Sequence, residues 1–171
     1  MGASHRKVVA RHLDGRVVKG YTFDFGPAQP RFHVFAEPTA TGPSTRVLVD
    51  ELKALFFVRD LVGDPAHRDG QRFAPGEVGR HVEVRFRDGE VMVGTVDGPS
   101  TDVPGFFLVP ADPESNNLRV YVVAAATRAV YPLPSMTRSA TAGRSAVEGS
   151  ARSEPVAGPL LPGRLLSWLT R

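Results

Sequence analysis

Residues 7–20 read KVVARHLDGRVVKG and residues 81–94 read HVEVRFRDGEVMVG. The offset is 74, and it brings Val8 onto Val82, Arg11 onto Arg85, Asp14-Gly15 onto Asp88-Gly89, Val17 onto Val91 and Gly20 onto Gly94. The same spacing carries Pro30-Arg31-Phe32 onto Pro104-Gly105-Phe106. RVLV at 46–49 then matches RVYV at 119–122, and Lys53-Ala54-Leu55-Phe56 matches Arg128-Ala129-Val130-Tyr131. A sequence repeated in this way folds as two like units. Each has about 50 residues, too few for a generous core of its own, so the two are expected to pack on each other.

Within each unit the period is two. Val82, Val84 and Phe86 alternate with Glu83, Arg85 and Arg87, which describes a half-buried strand. Asp88-Gly89 is a hairpin signal, because Gly supplies the positive φ that such turns need. A mid-strand glycine, Gly20 or Gly94, marks a tight bend. The first unit reads as strands at 7–13, 16–23, 32–36, 46–49 and 54–58, with DELK as a short turn before the last. The second repeats this, with AAAT in the same place. Five short strands with a sharp bend in the second describe a small, strongly curved barrel.

The domain plan is therefore a first barrel at 1–60, a linker at 61–78, a second barrel at 79–134, a spacer at 135–158 and a terminal peptide at 159–171. The linker is rich in Gly, Pro and charge and reads as loop. The spacer has 15 Ser, Ala, Gly or Thr in 24 positions and no aromatic residue. That composition buries too little to offset chain entropy, so it is expected to be disordered. The peptide turns apolar again. As a short helix, Leu165, Leu166, Trp168 and Leu169 share one arc, which a protein partner could grip.

A five-stranded unit opening with V-x-[LF]-x-DG-x-[VM]-x-x-G resembles the Sm-like barrel family; the second unit has this pattern at 84–94, and the first keeps its DG-x-V-x-x-G part at 14–20. LDGRVVKGYTFDF (13–25), with Phe23-Asp24, is similar to the first Sm signature, and VLVDELKALFFV (47–58) to the end of the second. The resemblance implies an all-β protein: two tandem five-stranded Sm-like or SH3-like small barrels packed as a pseudo-dimer, with a disordered tail. Paired DG units with a PADP-x-SNN loop, here Pro110–Pro113 and Ser115–Asn117, also resemble a bacterial type. Two departures bear on function. Ala28 stands where RNA-binding Sm proteins have Asn. Asp50-Glu51 and Ala124-Ala125 replace the second signature's basic-glycine pair. The resemblance thus implies the fold and not the uridine pocket.

Charge and chemistry narrow the function. The chain has 171 residues, a net charge of +3 and no Cys, which removes disulfides, thiolate metal sites and cysteine catalysis. Residues 134–171 hold the whole excess; residues 1–133 carry 16 basic and 16 acidic groups. A nucleic-acid domain needs uncompensated cations to displace counterions, so RNA is expected to bind weakly. Its contacts would be Arg11, Lys19, Arg85 and Arg87.

The five histidines are scattered without a ligand pattern, and His12 takes a packing position opposite Phe86 in the repeat. No nucleophile elbow, P-loop or dinucleotide fingerprint occurs. Asp14, Asp24, Asp88 and Asp97 read as turn residues, and the Phe residues as core or interface. The expectation is a non-enzymatic, cytoplasmic regulatory or adaptor module without cofactor or metal. It would take a protein partner through its C-terminal peptide, insert no span into a membrane, and be open to oligomer formation. An RNA- or single-strand-binding protein of the Sm type is the alternative.

Overall fold

A computed structural model describes residues 5–64, 66–74, 78–96 and 104–134. The expected spacer at 135–158 and the peptide with Leu165, Leu166, Trp168 and Leu169 lie outside the described residues, as does Asp97.

The described chain is all-β. Ten strands run β1 Arg6–His12, β2 Val17–Thr22, β3 Arg31–Phe35, β4 Ser44–Leu48, β5 Leu52–Val58, β6 Arg80–Phe86, β7 Val91–Val96, β8 Gly105–Pro110, β9 Asn117–Val123 and β10 Thr127–Pro132. The sites of DELK and AAAT are single 3-10 turns at Val49–Glu51 and Ala124–Ala126. No helix among the described residues is long and apolar enough to cross a membrane.

The strands form one antiparallel sheet in the order β10-β6-β7-β8-β9-β5-β1-β2-β3-β4. Each five-strand unit has the same internal order: its last strand lies beside its first, followed by the second, third and fourth. The two units were expected as separate barrels in contact. They are instead joined through the backbone, because β5 of the first unit pairs with β9 of the second from Ala54↔Val122 to Val58↔Asn117. All seven residues of β5 are buried as a result. The core is continuous across this joint and includes Val8, Phe32, Leu52, Leu55, Val82, Phe86, Leu108 and Tyr121.

Local chemistry explains the repeated parts. In both hairpins the loop has three residues. His12 N–H donates to the Arg16 carbonyl, Gly15 N–H donates to the His12 carbonyl, and Phe86, Glu90 and Gly89 repeat the pattern. Gly15 and Gly89 both have φ of +90°. This is a type I turn closed by a left-handed glycine, rather than the two-residue primed turn that Asp-Gly suggests. Gly20 and Gly94 have ordinary φ. Their role is close approach: a Cβ on Gly20 would overlap the Phe35 carbonyl oxygen, and one on Gly94 the Val109 carbonyl oxygen. Gly105 is a third such site, set against the Val122 carbonyl. A glycine lets the neighbouring backbone come this near, so the sheet can bend tightly.

Candidate functional site

The joint between the units is where chemistry-bearing residues converge. Lys53 in β5 is buried, and its ammonium lies between the Asp88 and Glu90 carboxylates of the β6–β7 hairpin. It also sits 4.5 Å from the Phe86 ring centroid. Three strands separate β5 from β7's hairpin partner in the sheet, so this contact records how strongly the sheet curls. Arg11 of β1 joins the same cluster, 3.2 Å from Glu90 and over the Phe56 ring. The hydrogen bond from Lys53 holds the Asp88 carboxyl below its ordinary value.

Aromatic rings seal the other face of the joint. Phe25 lies 5.2 Å from Tyr121, and Phe57 and Phe107 close the group. Burial pushes the Tyr121 hydroxyl up to about 12. The interface reading of these rings therefore holds for Phe25, Phe57 and Phe107. Tyr21 and Phe23 lie elsewhere, on a half-buried patch with His5 and Phe35.

The segment leaving β5 is tied down by the PADP-x-SNN loop. Arg59 Nε donates to the Ser115 carbonyl, and Arg59 N–H to the Asn116 carbonyl. Asn116 exchanges two bonds with Asp60: its Oδ1 accepts from Asp60 N–H at 2.9 Å, and its Nδ2 donates to the Asp60 carbonyl at 2.8 Å. Further along, the Asp112 carboxylate accepts Gly70 N–H, Glu114 N–H and a bond with His67 Nε2 at 3.0 Å. Hydrogen bonds from Gly70 and Glu114, with His67 behind them, hold this carboxyl below its ordinary value. His67, Asp69 and Asp112 offer three ligand atoms within 4.8 Å of one another. Through these bonds the Asp112 carboxylate staples the linker to the loop.

Between staple and joint lies a cleft of about 890 Å³. Three arginines line it (Arg11, Arg59, Arg68), against five carboxylates (Asp60, Asp64, Asp69, Glu90, Glu114). The cleft is net acidic and shared by both units and the linker.

The four basic candidates lie on two hairpins. Arg11 and Lys19 share the β1–β2 hairpin, and Lys19 donates to the Leu61 carbonyl. Arg85 and Arg87 belong to β6 and its turn, five sheet positions from β1. Arg85 bonds Glu83 at 2.6 Å and stacks over Tyr131.

Turn roles for the acids hold at Asp14, which accepts from Arg16, and at Asp88. Asp24 links β2 to β3: burial alone would raise its carboxyl, but the His33 ring at 2.8 Å and the His33 N–H outweigh that and leave it lowered. His12 is fully rather than half buried, with Glu51 3.9 Å from its Nδ1. Sequence reading missed Lys53, His67 and Asp112. The mismatch of a lone lysine in the apolar run LKALFF was the available signal for the first. The others are paired only by the fold.

No curated protein and no solved structure matches the chain. The family of unknown function DUF6982 matches residues 4–133, so the strands, the joint and the cleft are all within it, and the chain belongs to that family.

Proposed function

We propose that this protein is a non-enzymatic adaptor, a pair of Sm-like units fused into one binding block, with the C-terminal peptide as its means of engaging a protein partner. The shared strand order of the two units supports the Sm-like reading. The acidic cleft at their joint is the observation that favours a polypeptide over a nucleic acid as the ligand of this block. Five carboxylates against three guanidiniums repel a phosphate backbone. The same cleft suits a polypeptide with basic side chains, and Asn116 and Asn117 add amides at its rim.

The deciding experiment is recovery of partners by the full chain and by a chain lacking residues 134–171, each with and without nuclease. An adaptor keeps its protein partner through nuclease treatment and loses it with the tail. Recovery that disappears on nuclease treatment assigns the nucleic-acid alternative instead.

A further inference from the structure

The joint pairs the last strand of one unit with the fourth strand of the other, and it leaves one copy of each strand type at the ends of the sheet. Among the described residues, β4 pairs only with β3 and β10 only with β6, so these are the free fourth strand and the free last strand. On β4, Val49 N–H donates to the Pro30 carbonyl and the Pro43 carbonyl accepts from Ala36. With the Arg31↔Leu48 register, this sets Val47 and Thr45 toward β3. Ser44, Arg46 and Leu48 therefore turn their N–H and carbonyl groups outward. In β9 the residues at those positions, Arg119 and Tyr121, meet Phe57 and Leu55 of β5.

The last residues of the chain share a pattern with the strand that β9 accepts. β5 reads Lys53-Ala54-Leu55-Phe56-Phe57-Val58, and residues 164–169 read Arg-Leu-Leu-Ser-Trp-Leu. A basic residue opens both, Leu166 takes the place of Leu55, Trp168 that of Phe57 and Leu169 that of Val58. Ser167, in place of Phe56, is the one polar departure. β4 in turn repeats β9, as RVLV repeats RVYV.

We propose that Arg164–Leu169 adds to the free edge of β4 in its own molecule as an eleventh, antiparallel strand, with Leu166 opposite Leu48 and Trp168 opposite Arg46. Main-chain bonds would supply the affinity, as in other strand additions. Trp168 and the Arg46 guanidinium would form a cross-strand pair of the cation–π kind.

The rival occupant, β10 of a second copy, is poorer. Leu133 N–H donates to the His81 carbonyl, so Val130 and Pro132 are the outward positions of β10. Pro132 stands where Phe57 stands in β5 and has no N–H to give. The tether is long enough: 29 residues separate Pro134 from Arg164. As a coil they span roughly 30 Å, comparable with the diameter of a domain of this size. The inference rests on reading the terminal peptide as a docking element and names the surface it occupies when no partner holds it.

Amide exchange resolved residue by residue by NMR on the full chain tests it, comparing the native sequence with Leu166→Pro. Arg46 and Leu48 amides should exchange at least tenfold faster in the variant, while Thr45 and Val47, which face β3, stay unchanged. Trp168 is the only tryptophan, and its emission should shift to the red in the same variant. Equal exchange at Arg46 and Leu48 in both proteins overturns the proposal. Protection that grows with protein concentration also overturns it, because a second copy then fills the edge. Failure here is separable from failure of the adaptor reading: partner recovery lost in Leu165→Ala/Trp168→Ala/Leu169→Ala, with β4 amides unprotected throughout, removes the eleventh strand and keeps the adaptor.

Discussion

The two units share strand order, hairpin geometry and a glycine pressed against a carbonyl, yet their counterpart strands are buried differently at the joint. β5 is buried along its whole length between β1 and β9, whereas its counterpart β10 exposes Arg128 and Pro132. β9 buries its last four residues, whereas its counterpart β4 exposes its first three. Lys53 is an ion inside the molecule and Arg128 an ion outside it. Glu90, which helps to hold Lys53, corresponds to Arg16 in the first unit. At the joint the copies keep part of the repeat, Arg119 against Arg46 and Ala54 against Ala129, and depart from it at Lys53 against Arg128 and Glu90 against Arg16.

The strongest way to break this comparison is to separate the copies. Residues 1–60 and 79–134 made singly should not melt cooperatively, because each leaves one side of the β5–β9 ladder and the Phe25–Phe107–Tyr121 group uncovered. Circular dichroism melts of both pieces check this, and two independent sharp transitions would mean that the joint is dispensable.

Next come the glycines. Gly20→Val and Gly94→Val should each lose about 3 kcal/mol or somewhat more, because the obstacle is a backbone carbonyl and cannot swing aside. Urea midpoints give the values. The Gly94 variant should be the worse of the two, since β7 is buried over five of its six residues and β2 over only two.

A smaller effect sharpens the ionic contrast. Lys53→Ala should cost on the order of 2 kcal/mol, the worth of hydrogen bonds to charged groups, while Arg128→Ala should stay within about 0.5 kcal/mol as an exposed substitution. Similar losses at both sites would show that the buried ammonium adds nothing to the joint.

The same cluster predicts a pH dependence. The folded Asp88 carboxyl lies below its ordinary value near 3.8. Its contribution is complete above that value and fades as pH falls through the lower folded one, so stability should drop from about pH 4 downward. Asp88→Asn should flatten that part of the profile while lowering stability at neutral pH. Smallest is Tyr121→Phe, which removes one long bond to the Pro27 carbonyl at 3.3 Å and should cost no more than about 1 kcal/mol by denaturant titration.

Strands, turns and the special glycines were legible because each has a local cause: alternation of apolar residues, a left-handed glycine, a missing Cβ. The physical reason for Gly20 and Gly94 differs from the expected one, since their φ is ordinary and it is a neighbouring strand that demands the space. The joint was not legible. Pairing of β5 with β9 depends on which edges are left over once each unit has formed, and no periodicity within LKALFFV or NLRVYVV reports that. The staple of His67 to Asp112 spans 45 residues and is created by the path of the linker. Asn116 lies in the expected loop while Asn117 already opens β9, and the partner that Asn116 grips, Asp60, belongs to the other unit.

Because the joint is a ladder of backbone groups, recognition between the halves does not require a covalent connection. Cut within the linker and purified apart, neither half should hold its fold, and mixing the two should restore the whole as each completes the edge of the other. A reporter divided between the two halves would then be reassembled by the β5–β9 ladder, with the Lys53 ion pairs and the Asn116–Asp60 bonds beside it.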